Sequence, residues 1–274
     1  MQWYRGPEGD QRIWYESDEI ERIAEDELRR ASLMPSIRKP VTDLERFIES
    51  YLNAELDQYA ELPDGVLGLT QFQTGRQPMV SINSKLTESA EADVANPGAV
   101  GRWRATMAHE ATHILLHRYL FDPEMAQLAG AQVGGNTHVE LTRLMRCLHR
   151  DIMPVSAQDW SQIRRRRDWR EIQANCGMAA LLMPSSPFKR VAFQQMTNLG
   201  LSAVSVGTTS ADTLTAAMAE IFNVSKQAAM IRLETLQVVS LSSDELTTGP
   251  SPAAPAPVRQ PGPGTDLWSP RSGL

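Results

Sequence analysis

Cysteine is scarce in this sequence: Cys147 and Cys176 are the only two in 274 residues, and they lack CxxC spacing. That excludes a disulfide framework, and a reducing, cytoplasmic setting fits best. Long apolar runs are missing as well. No stretch approaches eighteen apolar residues, so no membrane span is expected. The first residues, "MQWYRGPEGDQRIWYESDE", have no basic start followed by an apolar run, so no signal peptide is expected. Nor is there an excess of positive charge. With 27 Lys and Arg against 33 Asp and Glu, the net charge is −6. This argues against a broad electrostatic grip on nucleic acid or anionic membrane, although it leaves room for a local basic patch. No internal repeat stands out. The composition, 42% apolar and 22% charged, is that of an ordinary globular protein with one sizeable domain and helical additions.

Hydrophobic periodicity predicts a mainly helical chain with a small sheet. Ile20, Ile23, Ala24 and Leu28 recur at helical spacing over Ser17–Ala31, with Ser17 available as a cap. "TDLERFIESYL" starts a second helix, where Thr42 and Glu45 have capping-box spacing. "GVLGLTQF" and "PMVSIN", separated by the turn-like "QTGRQP", predict an antiparallel hairpin. Helices are then expected over about Arg102–Leu120, in "THVELTRLMRCLHR", and from about Ser161 to Pro184. "ADTLTAAMAEIFNVSKQAAMIRLETLQVV" reads as two helices broken at Asn223, the second capped by Ser225. From Gly249 the chain is rich in proline and glycine and reads as a disordered tail.

Histidine is concentrated where chemistry would need it. "MAHEATHILLH" holds three of the five histidines. His109-Glu110-Ala111-Thr112-His113 is an HExxH pattern inside a predicted helix. Four residues on a helix place the two imidazoles about 40° apart and about 6 Å along the axis, so both reach one cation. Glu110, next to the first ligand, is placed to act as base toward water held there. A catalytic zinc takes three protein ligands and keeps one position open. One layout adds a third histidine six residues past the second, after a glycine. Tyr119 and Leu116 occupy those positions here, which excludes it. His117, about 12 Å along the axis from His109, reads as a neighbour of a ligand or a surface residue. The other layout takes a later carboxylate, and Glu171 in "WREIQANCGMAALLMP" is the best candidate. Asn175, one turn on, shares its face and can hydrogen-bond a ligand imidazole. Spacing alone does not choose Glu171 over Glu140, Asp159 or Asp168.

"RWRATMAHEATHILLH" followed by "EIQANCGMAALLMP" resembles the ImmA/IrrE family of zinc metallopeptidases, over roughly Leu62–Leu236. Members carry an arginine-led helix with "AHE..H..LH", then a glutamate, "AN", a small apolar run and "LLMP". The resemblance implies an α+β, mainly helical, zincin-like core with a small antiparallel sheet, followed by a helix-turn-helix-like segment. The expected division of the chain is an N-terminal helical extension (1–40), a peptidase core (41–190), a C-terminal helical segment (191–246) and the tail (247–274). It implies that His109, His113 and Glu171 bind Zn2+ (or Mn2+) and that Glu110 is the general base. The implied substrate is a protein, a helix-turn-helix repressor in a stress-response or mobile-element circuit. Two departures stand out. Members usually have Leu-Gly where this chain has Ala111-Thr112, and the stretch between His113 and Glu171 is longer than usual.

The oxyanion of a peptidase needs a further donor, for which His149, His138 and Tyr119 are candidates that the sequence does not rank. A rival reading is a regulator that binds DNA or a partner and keeps the metal-site fold without turnover. Its recognition helix would carry Lys226 and Arg232 but also Glu234, which is thin basic character. The arginine run Arg164–Arg167 reads as one solvated helical face. Cys147 and Cys176 read as buried thiols, with Cys176 near enough to Glu171 for oxidation to matter. Trp103 and Trp169 read as packing residues near the two metal helices.

Overall fold

A computed structural model describes residues 1–7, 11–73, 75–93, 96–121, 142–148 and 169–240. It is an α+β structure in which Met1–Leu241 forms one compact unit. The chain opens with a hairpin, β1 (Gln2–Arg5) against β2 (Gln11–Trp14). Helix α1 (Ser17–Arg30) follows. Its cap is Glu16 and not Ser17. Glu16 and Glu19 form a reciprocal capping box, so Ser17 is already helical. Ile20, Ala24 and Leu28 are buried along its inner face, as their spacing predicts.

The next helix is short, α2 (Leu44–Arg46) continued by a π turn (Phe47–Tyr51). Asp43 caps it through Arg46 N–H, whereas the Thr42 hydroxyl donates to the Leu181 carbonyl at 2.7 Å. A long-range partner has replaced the expected capping box. Strand β3 (Glu55–Ala60), β4 (Val66–Gln73) and β5 (Met79–Asn83) come next, then helix α3 (Ser84–Ala92), capped by Asn83. The predicted hairpin is present as β4 against β5, with Thr70 opposite Val80.

Helix α4 (Pro97–Thr112) begins with an Asn96 cap and a proline in its first turn. It opens into a π turn at His113–His117 and closes as a 3-10 turn at Arg118–Leu120. The expected Arg102–Leu120 helix is therefore three successive geometries. Strand β6 (Thr142–Leu148) corrects a further expectation, because "THVELTRLMRCLHR" predicted a helix there. The 142–148 segment pairs antiparallel with β4, from Thr142↔Gln73 to Leu148↔Val66. The open edge of β4 offers it a row of backbone partners, and that outweighs local helical preference. Among the described residues the mixed sheet runs β3-β5-β4-β6, with only β3 and β5 parallel.

Helix α5 (Trp169–Leu182) packs along both α4 and α1. Helices α6 (Ser185–Asn198), α7 (Thr209–Phe222) and α8 (Lys226–Thr235) complete the unit. The break between α7 and α8 lies where expected, with Asn223 left-handed at φ 54° and Ser225 accepting from Ala228 N–H. One core joins these parts, with Phe47, Ile82, Met107, Leu181, Phe188 and Phe222 all buried within it. No helix among the described residues is long and apolar enough to cross a membrane. The 247–274 tail and the Arg164–Arg167 run lie outside the described residues.

Candidate metal centre

Helix α4 is buried on every side from Thr106 to Thr112. Such a helix can carry polar groups only where neighbours satisfy them. Met107, Ala108 and Ala111 join the core, whereas His109, Glu110 and His113 are polar and 0% exposed. What they face is α5 on one side and β4 on the other.

On the α5 side, Glu171 meets both imidazoles. His109 Nε2 lies 3.0 Å and His113 Nε2 3.4 Å from Glu171 Oε2, and the two Nε2 atoms are 3.1 Å apart. These three residues form a cluster that could hold a metal ion. A tetrahedral ion with bonds of about 2.0–2.1 Å requires ligand atoms about 3.3 Å apart, so the spacing fits. The Glu171 side chain is 22% exposed, which gives the cluster a face toward solvent.

Protons on the histidines decide whether this is a cation site. Asn175 Oδ1 lies 3.1 Å from His109 Nδ1. An amide oxygen only accepts, so His109 Nδ1–H donates and its Nε2 keeps a lone pair facing Glu171. Burial, the largest influence on His113, pushes its pKa down, against the raising influence of Glu171. For Glu171, burial raises the pKa, but the neighbouring His113 and His109 outweigh it and hold the carboxyl well below the usual range. A carboxylate and two imidazole nitrogens therefore converge. That donor set suits a divalent cation.

On the β4 side stands Glu110. Its Oε2 accepts from Thr70 Oγ1 at 2.5 Å, while Oε1 is buried without a hydrogen-bond partner among the described residues. Burial raises its pKa to about 8, against lowering by His109 and by the Thr70 hydrogen bond. Gly68 gives the side chain its room. A Cβ there would come within 2.7 Å of Glu110 Oε1. Neither Gly68 nor Thr70 was expected from the sequence, yet the strand carries a signal. Val66, Gly68, Thr70 and Phe72 face inward, so the two positions opposite Glu110 are small or polar while Leu67 and Leu69 lie on the other face.

His117 is 0% exposed and not a surface residue. Its Nδ1 is 3.0 Å from His113 Nδ1 and its Nε2 is 3.2 Å from Gln173 Oε1. Trp169 packs edge-on to its ring at 5.6 Å between centroids, a packing role as expected. Tyr119, the one described oxyanion candidate, packs with Ile13, Tyr15, Ile20 and Leu116. His138 and His149 lie outside the described residues, as do Glu140, Asp159 and Asp168. Trp103 packs against the main core. Thr112 is buried, with its hydroxyl donating to Ala108 O at 2.8 Å.

Cys176 is half-buried against the cluster of Ile13, Tyr15, Ile20 and Leu116, and burial pushes its pKa up to about 12. The folded protein holds that proton more tightly than the unfolded chain, so this thiol makes stability fall as pH rises from about 9 toward about 12. At pH 8 its thiolate population is about a thousandth of that of an ordinary cysteine. In a Cys147→Ser background, iodoacetamide is therefore expected to leave Cys176 unlabelled over times that exhaust a free cysteine. Labelling at the free rate would contradict the burial.

Comparison of the chain with protein-family models, with curated proteins and with solved structures finds no match.

Proposed function

We propose that the chain is a zinc-dependent endopeptidase acting on a protein, with His109, His113 and Glu171 as ligands and a zincin-like arrangement of the helices. The observation carrying this reading is the convergence of two imidazole nitrogens and a carboxyl oxygen beside the buried Glu110 carboxyl, whose Oε1 has no hydrogen-bond partner among the described residues. When bound, the ion would supply Lewis-acid polarisation of a peptide carbonyl and a lowered pKa for water. Glu110 is the base. Thr70 holds its Oε2, which leaves Oε1 to take a proton and return it to the departing amine. Mn2+ is an alternative occupant. Following the ImmA/IrrE resemblance, the proposed substrate is a helix-turn-helix repressor, cut in the cytoplasm.

The rival regulator reading draws little support from α8. Arg232 is 3% exposed, pairs through both terminal nitrogens with Glu21, and donates from Nε to Met183 O at 2.9 Å. It is committed to holding α8 against α1, which removes one of the two cations a recognition helix would have offered to phosphates.

The test is to incubate purified protein with Zn2+ and a helix-turn-helix repressor, next to a Glu110→Gln variant. Wild type is expected to cut, and the variant to lose about 10²–10⁴-fold in rate while keeping its zinc. Equal cleavage by both proteins removes Glu110 as the base.

A further inference from the structure

The cluster's second histidine is held by a chain of hydrogen bonds whose direction can be read from its far end. The Ile13 carbonyl, from β2, only accepts. Gln173 Nε2 donates to it at 3.4 Å. This turns Gln173 Oε1 toward His117, where it can only accept, so His117 Nε2 carries the hydrogen across 3.2 Å. A neutral imidazole protonated on Nε2 has a lone pair on Nδ1. Across the 3.0 Å between the two Nδ1 atoms, His113 must then be the donor. With its proton on Nδ1, His113 offers Nε2 to the cluster as a bare lone pair.

We propose that His117 is a positioning residue, which fixes the tautomer and ring orientation of His113 so that Nε2 is presented to the metal. This rests on the reading of the cluster as a metal site. His117 touches no ligand atom itself and acts through His113. Its burial suits the role, since His117 and Gln173 are both 0% exposed and water cannot substitute for either. The Trp169 edge limits tilting of the ring. One helix, α5, thereby controls both imidazoles. Asn175 sets His109 directly, Gln173 sets His113 through His117, and Glu171 lies between. The N-terminal hairpin joins in as well, because β2 supplies the terminal acceptor.

The test compares wild type with His117→Phe and His117→Asn. Phenylalanine keeps the ring against Trp169 but offers no acceptor. The oxygen of asparagine can stand where Nδ1 stood. Zn2+ affinity is measured by chelator competition, and folding by circular dichroism of the metal-free proteins. Nitrogen-15 NMR of labelled histidines in the Zn2+-loaded wild type reads the tautomers. Expected are a 10–100-fold weaker affinity for His117→Phe, recovery of most of it by His117→Asn, and a His117 protonated on Nε2. Equal affinity of His117→Phe and wild type overturns the proposal, as does equal weakening by both variants. A His117 protonated on Nδ1 also overturns it, and that readout decides alone if His117→Phe does not fold. Wild type that binds no Zn2+ overturns the metal reading and this inference with it, whereas normal wild-type binding with an unaffected His117→Phe overturns this inference alone.

Discussion

Glu171→Ala is expected to weaken Zn2+ binding by more than the 10–100-fold typical of losing an outer partner of a ligand, while Glu140→Ala leaves affinity unchanged. Glu171 supplies the only formal negative charge in the three-residue cluster, and its Oε2 lies within 3.4 Å of both imidazole nitrogens. Truncation leaves two neutral nitrogens on one helix and no ligand from α5. A catalytic zinc with three protein ligands would be left with two. Because the Glu171 side chain is partly exposed, the loss removes little packing. The metal-free variant should therefore melt near wild type, which separates loss of a ligand from loss of fold. Competition with a chromophoric chelator gives the affinities. If the Glu171 and Glu140 variants weaken alike, the third ligand has been wrongly assigned.

What the sequence could reveal of this centre depended on how local each constraint was. The HExxH spacing is a property of one helix, and His109 and His113 stand as that spacing requires, with both Nε2 atoms on one side. Asn175 was legible for the same reason, since four residues from Glu171 is one helical turn. The capping of α8 by Ser225 is likewise local. Constraints from across the fold were not legible. Thr42 lost its expected capping role to a carbonyl 139 residues away. Thr142–Leu148 became a strand because β4 had an edge to fill, which no periodicity within that segment records. His117 illustrates both sides. Its turn on the helix was evident, but its burial depends on Gln173 and Trp169, and α5 brings both to it. Thr70 and Gly68 come opposite Glu110 through the approach of α4 to β4, a contact between residues 40 apart in sequence in the case of Thr70.

Gly177→Ala is expected to destabilise the protein, although glycine to alanine inside a helix ordinarily gains about 0.5–1 kcal/mol. The reason is Thr112. A Cβ on Gly177 would stand 2.3 Å from Thr112 Cγ2 and 2.9 Å from its Oγ1. The threonine cannot easily turn aside, since its hydroxyl is bonded to the Ala108 carbonyl and its side chain is fully buried. Overpacking of this kind costs about 1–3 kcal/mol, which outweighs the propensity gain. Relief requires α4 and α5 to move apart. Gly177 lies about 9 Å along α5 from Glu171, so the same separation draws the carboxylate from the histidines and weakens Zn2+ binding too. Adding Thr112→Ala removes both of the closest atoms and leaves the next nearest, Thr112 Cβ, at 3.2 Å. The double variant should therefore recover most of the stability and affinity, with a coupling energy of the same sign in both measurements. Denaturant melts of the four proteins, with and without Zn2+, give the cycle. A Gly177→Ala protein as stable as wild type would show that the two helices are not held together at this point. The departure at Thr112 from the usual Leu-Gly of the resembled family would then need no compensation from α5.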